Sequence, residues 1–196
     1  MNANEQTANK AKDKANKVTK GEVIDFAPPE GSSNQSTCTS PATGEVIGHV
    51  PLNTVEDFGQ MMEEARAAQT GWAATPIKER CKAMLRVRDY IVEHADELAD
   101  TISKDNGKTR VDALASEVLP VTMSIAYYTQ NAPKFLKERM VRPGNILLAN
   151  KISKIARVPF GVLGIISPWN YPFGIPVPEV VMALLAGNSV ILKTAT

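Results

Sequence analysis

Two hydrophobic periods divide the chain. From Thr54 to about Lys137 apolar residues recur at three- and four-residue spacing, the period of helices with one buried face. Thr54 and Asp57 make an approximate capping box at the start of a first helix. Val55, Phe58, Met62, Ala65 and Ala68 form its apolar stripe. Thr75-Pro76 opens a second helix, as an N-cap followed by proline at the first helical position. Ile77, Cys81, Met84, Leu85, Arg88, Ile91, Val92, Ala95 and Leu98 continue its buried side. Asp105-Asn106-Gly107-Lys108 closes that helical region with a glycine C-cap. A third helix is predicted from about Arg110 to Lys137, with Val111, Leu114, Val118, Val121, Ile125, Tyr128, Ala132 and Phe135 in phase. Pro120 should kink it, because it removes one hydrogen bond and crowds the turn before it.

Short apolar runs bounded by turn residues flank this helical body and read as strands. Val23–Phe26 is a short edge strand ahead of Pro28-Pro29, and 31–36 is a polar loop. Residues 37–40 and 45–51 flank Pro41-Ala42-Thr43-Gly44, a hairpin signature with glycine at its exit. His49 falls at an alternating strand position, facing solvent with no partner nearby. After a turn at 142–145, Ile146–Ala149 and Ile152–Val158 read as a strand pair joined at Asn150-Lys151. Val162–Ile166 is a buried strand stopped by Ser167-Pro168. A helix follows from Pro176 to Leu185, and Ala186-Gly187-Asn188 ends it. Ser189–Leu192 is a second buried strand carrying Lys193 at its end. Strand, loop, helix, strand is a βαβ unit, and ligands of open α/β sheets bind beyond the carboxyl ends of the strands. Trp169, Asn170 and Tyr171, held between Pro168 and Pro172, sit at that place.

Composition narrows the classes without choosing among them. A length of 196 residues allows one domain or two small ones. A formal charge of +1 gives no electrostatic case for nucleic acid or an anionic membrane. Cys38 and Cys81 are too few for a disulfide framework, so a reducing, cytoplasmic setting is expected. No apolar run has the length of a signal peptide core or a membrane span. Residues 1–20 carry five lysines against Glu5 and Asp13 and little to bury, which predicts a disordered tail. Residues 21–196 are then the structured part. Met61-Met62 and Cys81 read as core filler, and His94 among Glu93, Asp96 and Glu97 as part of a solvated charged face, so no metal site is assigned.

The words Gly161-Val162-Leu163-Gly164-Ile165-Ile166, Pro168-Trp169-Asn170-Tyr171-Pro172, Leu184-Leu185-Ala186-Gly187-Asn188 and Val190-Ile191-Leu192-Lys193 carry a resemblance to the aldehyde dehydrogenase superfamily, in order and in spacing. A weaker likeness runs back to about Cys38. The resemblance implies an α/β fold in which long helices precede the first βαβ unit of a Rossmann-like NAD(P) domain. It also implies oligomerisation strands at about 145–158 and a homo-oligomer when complete. In the family a cysteine thiolate attacks an aldehyde, a hydride passes to the nicotinamide of NAD or NADP, and water releases the acid. Asn170 matches the asparagine whose amide donates to the developing oxyanion, a role that needs a donor aimed in advance. On spacing alone, a turn cap is an equal reading of Asn170. Lys193 matches the lysine on the adenosine ribose; Ile166, Ser167, Pro168 and Trp169 match the wall against which the cofactor lies. Tyr171 and Phe173 would line the aldehyde entrance, or serve as core.

Three departures accompany the likeness. Thr194 and Thr196 stand where the family often has Pro and Glu, which should weaken discrimination against NADP. Glu179 stands where many members have lysine. The family's nucleophilic cysteine and general-base glutamate lie beyond residue 196. The expectation is therefore an amino-terminal portion, inactive alone, that needs its carboxyl-terminal part. The alternative is a catalytically dead oligomerisation or regulatory module.

Overall fold

The computed structural model describes residues 35–142, 144, 145, 147 and 150–195. The predicted tail to Lys20, the strand Val23–Phe26, most of the loop at 31–36, most of 146–149 and Thr196 lie outside the described residues. Strands β1 (Gln35–Thr39) and β2 (Val46–Pro51) form the predicted antiparallel hairpin, with a bulge between Cys38 and Thr39. Gly44 takes φ 74° at the turn exit, where Ser40 N–H donates to Glu45 O at 2.8 Å. His49 is exposed as expected, yet it has a partner: its Nδ1 lies 3.1 Å from Thr37 Oγ1.

Helix α1 (Val55–Ala74) starts on the predicted capping box. Thr54 Oγ1 accepts the Asp57 N–H at 3.1 Å, and the Asp57 carboxylate accepts the Thr54 N–H at 2.8 Å. Its stripe is not core: Val55 and Phe58 are exposed, and Met62 and Ala65 only half-buried. The second predicted helix is two helices, α2 (Ile77–Glu93) and α3 (Ala95–Asn106), broken at His94. Thr75 does not cap α2; its hydroxyl bonds back to Gly71 O at 3.1 Å. Gly107, at φ 78°, ends α3 as a left-handed cap.

The third predicted helix is interrupted rather than kinked. After α4 (Arg110–Ala113) comes a π-helical turn, Leu114–Val118, and then α5 (Leu119–Phe135). The Leu119 N–H bonds five residues back to Leu114 O. Pro120 has no N–H for Ser116 O and its ring crowds that carbonyl; a widened turn just ahead of it takes up the ring. The core forms where α2, α5 and α6 (Pro176–Leu185) meet, with Cys81, Met84, Ile91, Val121, Ile125, Val181 and Leu185 buried. Val121 and Ile125 are fully enclosed, each worth about 1.5–3 kcal/mol of burial. Val111 and Phe135 keep the period but stay exposed.

Strand β3 (Arg139–Val141) pairs antiparallel with β4 (Ser153–Ile155). The predicted partner of the 152–158 stretch was 146–149; alternation identifies a strand's faces but not its neighbour. Strands β5 (Val162–Ile166) and β6 (Ser189–Lys193) are parallel and joined through α6, the predicted βαβ unit. Their burial falls short of expectation: Ile166 is 79% exposed and Leu192 39%.

Candidate functional site

The parallel register places Ile166 beside Lys193, at the carboxyl ends of both strands. Ser167 N–H donates to Lys193 O at 2.9 Å, extending the ladder one residue before Pro168 ends it. The chain then makes a loop, 167–174, that leads into α6. Ser167 is buried with its hydroxyl 3.2 Å from Pro168 O. Trp169 is 72% exposed, and Tyr171 and Asn170 are exposed as well. Phe173 is half-buried against the core. The Asn170 side-chain amide makes no hydrogen bond among the described residues. Lys193 is exposed, and its Nζ donates to Thr194 O at 3.0 Å. All eight sequence-predicted site residues thus gather at one end of the βαβ unit. Two surface pockets, about 480 Å³ beside Phe135 and about 450 Å³ beside Val111, lie away from this loop. Glu179 sits exposed in the first turn of α6.

Three residues that the sequence reading did not assign to the site hold this loop. Asn106 Nδ2 donates to Trp169 O at 2.8 Å. Lys108 Nζ donates to Asn170 O at 3.0 Å and lies 4.2 Å from the centre of the Tyr171 ring. Glu117, fully buried on the π-helical turn, accepts the N–H groups of Phe173 (2.9 Å) and Gly174 (2.8 Å) through one carboxylate oxygen. Its other oxygen pairs with Lys108. Those two N–H groups open the α6 region, where a carboxylate is favoured by the helix dipole. A signal for Glu117 was present: it lies on the apolar side of its helix, between Leu114, Val118 and Val121, where a charge needs a partner.

The far end of the βαβ unit is held by α1 and α2. Trp72 Nε1 donates to Leu184 O at 2.8 Å and Gln69 Nε2 to Gly187 O at 3.0 Å. Arg80 is buried and donates to Ala73 O at 3.1 Å. Burial draws the Arg80 guanidinium below its ordinary range, against the opposing pull of Cys81. Burial likewise pushes the Cys81 thiol up, with Arg80 pulling it back.

A parallel βαβ unit with its loop at the strand ends is the architecture of nucleotide-binding α/β folds. The family model of the aldehyde dehydrogenase family matches residues 28–196, so the chain belongs to that family. It is 38% identical over 154 residues to a 4,4'-diapolycopene aldehyde oxidase from a Methylomonas species, covering 79% of this chain. That match takes in only 29% of the relative's length. Among solved structures it is similar to an NAD-dependent benzaldehyde dehydrogenase from Corynebacterium glutamicum, at TM-score 0.75 and 31% identity, covering 84% of this chain and 35% of that one. An NADP-dependent enzyme of E. coli superposes at TM-score 0.76 and 25% identity, covering 82% of this chain and 32% of the other. Among the described residues no helix is long and apolar enough to cross a membrane.

Proposed function

We propose that this chain supplies the oxyanion donor and part of the cofactor wall of an NAD- or NADP-dependent aldehyde dehydrogenase that converts an aldehyde to a carboxylic acid. The observation that carries the reading is the register of β5 and β6, which sets Ile166 against Lys193 with Asn170 on the loop just past them. A bound NAD or NADP would supply the hydride acceptor. The residues here fit such a group: Lys193 offers an exposed ammonium for ribose hydroxyls or a 2′-phosphate. Ile166, Pro168 and Trp169 offer apolar surface beside it, with the Ser167 backbone between them. Asn170 presents an amide with no other partner among the described residues, as an oxyanion donor requires. Tyr171 and Phe173 flank the same loop as the aldehyde entrance.

Neither cysteine suits the nucleophile. Cys81 is packed in the helical core with its thiol held protonated by burial, and Cys38 stands on the hairpin. On this reading the thiolate and the general base come from outside residues 1–196, and exposed Ile166 and Trp169 offer apolar surface to the part that carries them. The test is aldehyde-dependent reduction of NAD or NADP. Residues 1–196 alone should give none, and the chain assembled with the rest of its fold should turn over. In that assembly Asn170→Ala should lower kcat by about 10²–10³-fold. Turnover by residues 1–196 alone would overturn the division of labour.

A second reading, an oligomerisation or regulatory module in the cytoplasm, draws on β3 and β4, where Met140, Val141 and Ile155 are exposed. Binding to the remainder or to itself without turnover, measured by size exclusion and the same assay, would favour it.

A further inference from the structure

We propose that Lys108 and Glu117 are positioning residues that fix the Asn170 loop for catalysis, acting through its backbone and not through substrate. The inference rests on the oxyanion role of Asn170 proposed above and adds the device that holds it. Asn106 and Lys108 take the carbonyls of residues 169 and 170. Glu117 takes the N–H groups of residues 173 and 174. The main chain is thus pinned on both sides of the asparagine, while its side-chain amide is left to reach a ligand.

The parts are matched to that task. Lys108 is only 14% exposed and Glu117 is 0% exposed, so their pairing works in a poorly screened setting. Glu117 rides on the π-helical turn, a local departure from regular helix that sets its carboxylate against Gly174. A Cβ on Gly174 would come within 3.2 Å of Glu117 Cγ, so glycine permits the approach. Lys108 follows the left-handed Gly107 at the end of α3, a rigid stop that fixes where its side chain starts. A donor displaced by about 1 Å from a developing oxyanion loses on the order of 10²-fold in rate. Two side chains that fix the loop to a helical body prevent such drift.

The test uses Lys108→Met, Glu117→Met and the double variant K108M/E117M. The double variant leaves no unpaired buried charge, so it separates loss of the clamp from failure to fold. On residues 1–196, hydrogen exchange of the Phe173 and Gly174 amides should quicken at least tenfold in the double variant, with exchange in α2 and α5 unchanged. In the enzyme assembled with the rest of its fold, kcat should fall on the order of 10²-fold, while the dissociation constant of NAD or NADP stays within twofold. Unchanged exchange at residues 173 and 174 would overturn the clamp. Faster exchange with unchanged kcat would overturn the positioning role. An assembled wild type that never turns over would defeat the dehydrogenase reading and the catalytic half of this proposal with it. The exchange data would still decide the clamp.

Discussion

Asn188 Oδ1 accepts the Gly161 N–H at 3.1 Å, joining the end of α6 to the start of β5. The same side chain donates to Ala183 O at 3.1 Å, and Ser189 N–H donates to Gly161 O at 2.9 Å. A buried amide thus sets the register of the parallel pair from its amino end. The positions of Ile166 and Lys193 at the other end follow from that register.

Asn188→Ala should therefore destabilise the fold by about 1–3 kcal/mol, because the Gly161 N–H loses its acceptor in a partly buried place. Asn188→Asp keeps the acceptor, loses the donation to Ala183 O and buries a charge, so it should cost no less. Urea unfolding of the three proteins measures both. Equal midpoints for wild type and Asn188→Ala would remove Asn188 from the account of register.

One residue earlier, Gly187 is fixed by space and by conformation. It takes φ 89°, and a Cβ there would lie 2.8 Å from Arg80 Nη1 and 3.1 Å from Pro159 Cγ. Arg80 has little room to yield, since it is buried and bonded to Ala73 O. Gly187→Ala should cost about 1–3 kcal/mol in thermal unfolding. Gly44→Ala serves as the comparison, because its φ is 74° but nothing lies within 4 Å of its Cβ position. Equal losses for the two variants would show that backbone conformation alone governs the cost at Gly187.

The sequence discloses features whose cause is local. The capping box at Thr54, the glycine cap at Gly107, the hairpin turn at Gly44 and the βαβ unit all depend on neighbours in the chain. Features set by distant partners stayed hidden. Lys108 reads as the residue after a helix cap, and only the fold brings it to Asn170 O. Glu117 sits on the apolar side of its helix, which signals a partner, but only the fold shows that its contacts run to residues 173 and 174. Periodicity gathered Val55 and Phe58 onto one face of α1, but a stripe does not say what covers it. The same holds for β4, whose partner proved to be β3. At the candidate site the loop and its residues were legible from breakers and strand ends; the side chains that hold it were not.

The two cysteines should differ in reactivity. Cys81 is buried and its thiol is pushed up by that burial, whereas Cys38 is half-buried on the hairpin. At mildly alkaline pH iodoacetamide should label Cys38 well before Cys81, since the thiolate is the reacting form. The sign for stability follows from the raised value. Below the ordinary thiol range both folded and unfolded Cys81 keep the proton, and the contribution is fully present. As pH rises past that range the unfolded chain loses the proton first, so stability declines until the folded thiol also ionises. Cys81→Ser should flatten this alkaline decline, and Cys38→Ser should leave it in place. Labelling followed by mass spectrometry, with unfolding measured across alkaline pH, checks both halves.

Gly174 gives the sharpest steric test of the site loop. A Cβ there would meet Glu117 Cγ at 3.2 Å and the Glu117 backbone Cα at 3.4 Å. The side chain is not free to swing aside, because it holds the N–H groups of residues 173 and 174 and pairs with Lys108. Gly174→Ala should push the loop off the π-helical turn and lengthen both backbone hydrogen bonds, at a cost of about 1–3 kcal/mol typical of overpacking. Gly164, exposed on β5 with nothing within 4 Å of its Cβ position, is the matched control. Gly164→Ala should leave the amide exchange of residues 173 and 174 unchanged, and Gly174→Ala should quicken it. A Gly174→Ala protein with wild-type stability and wild-type exchange would mean that the loop has room the geometry does not show.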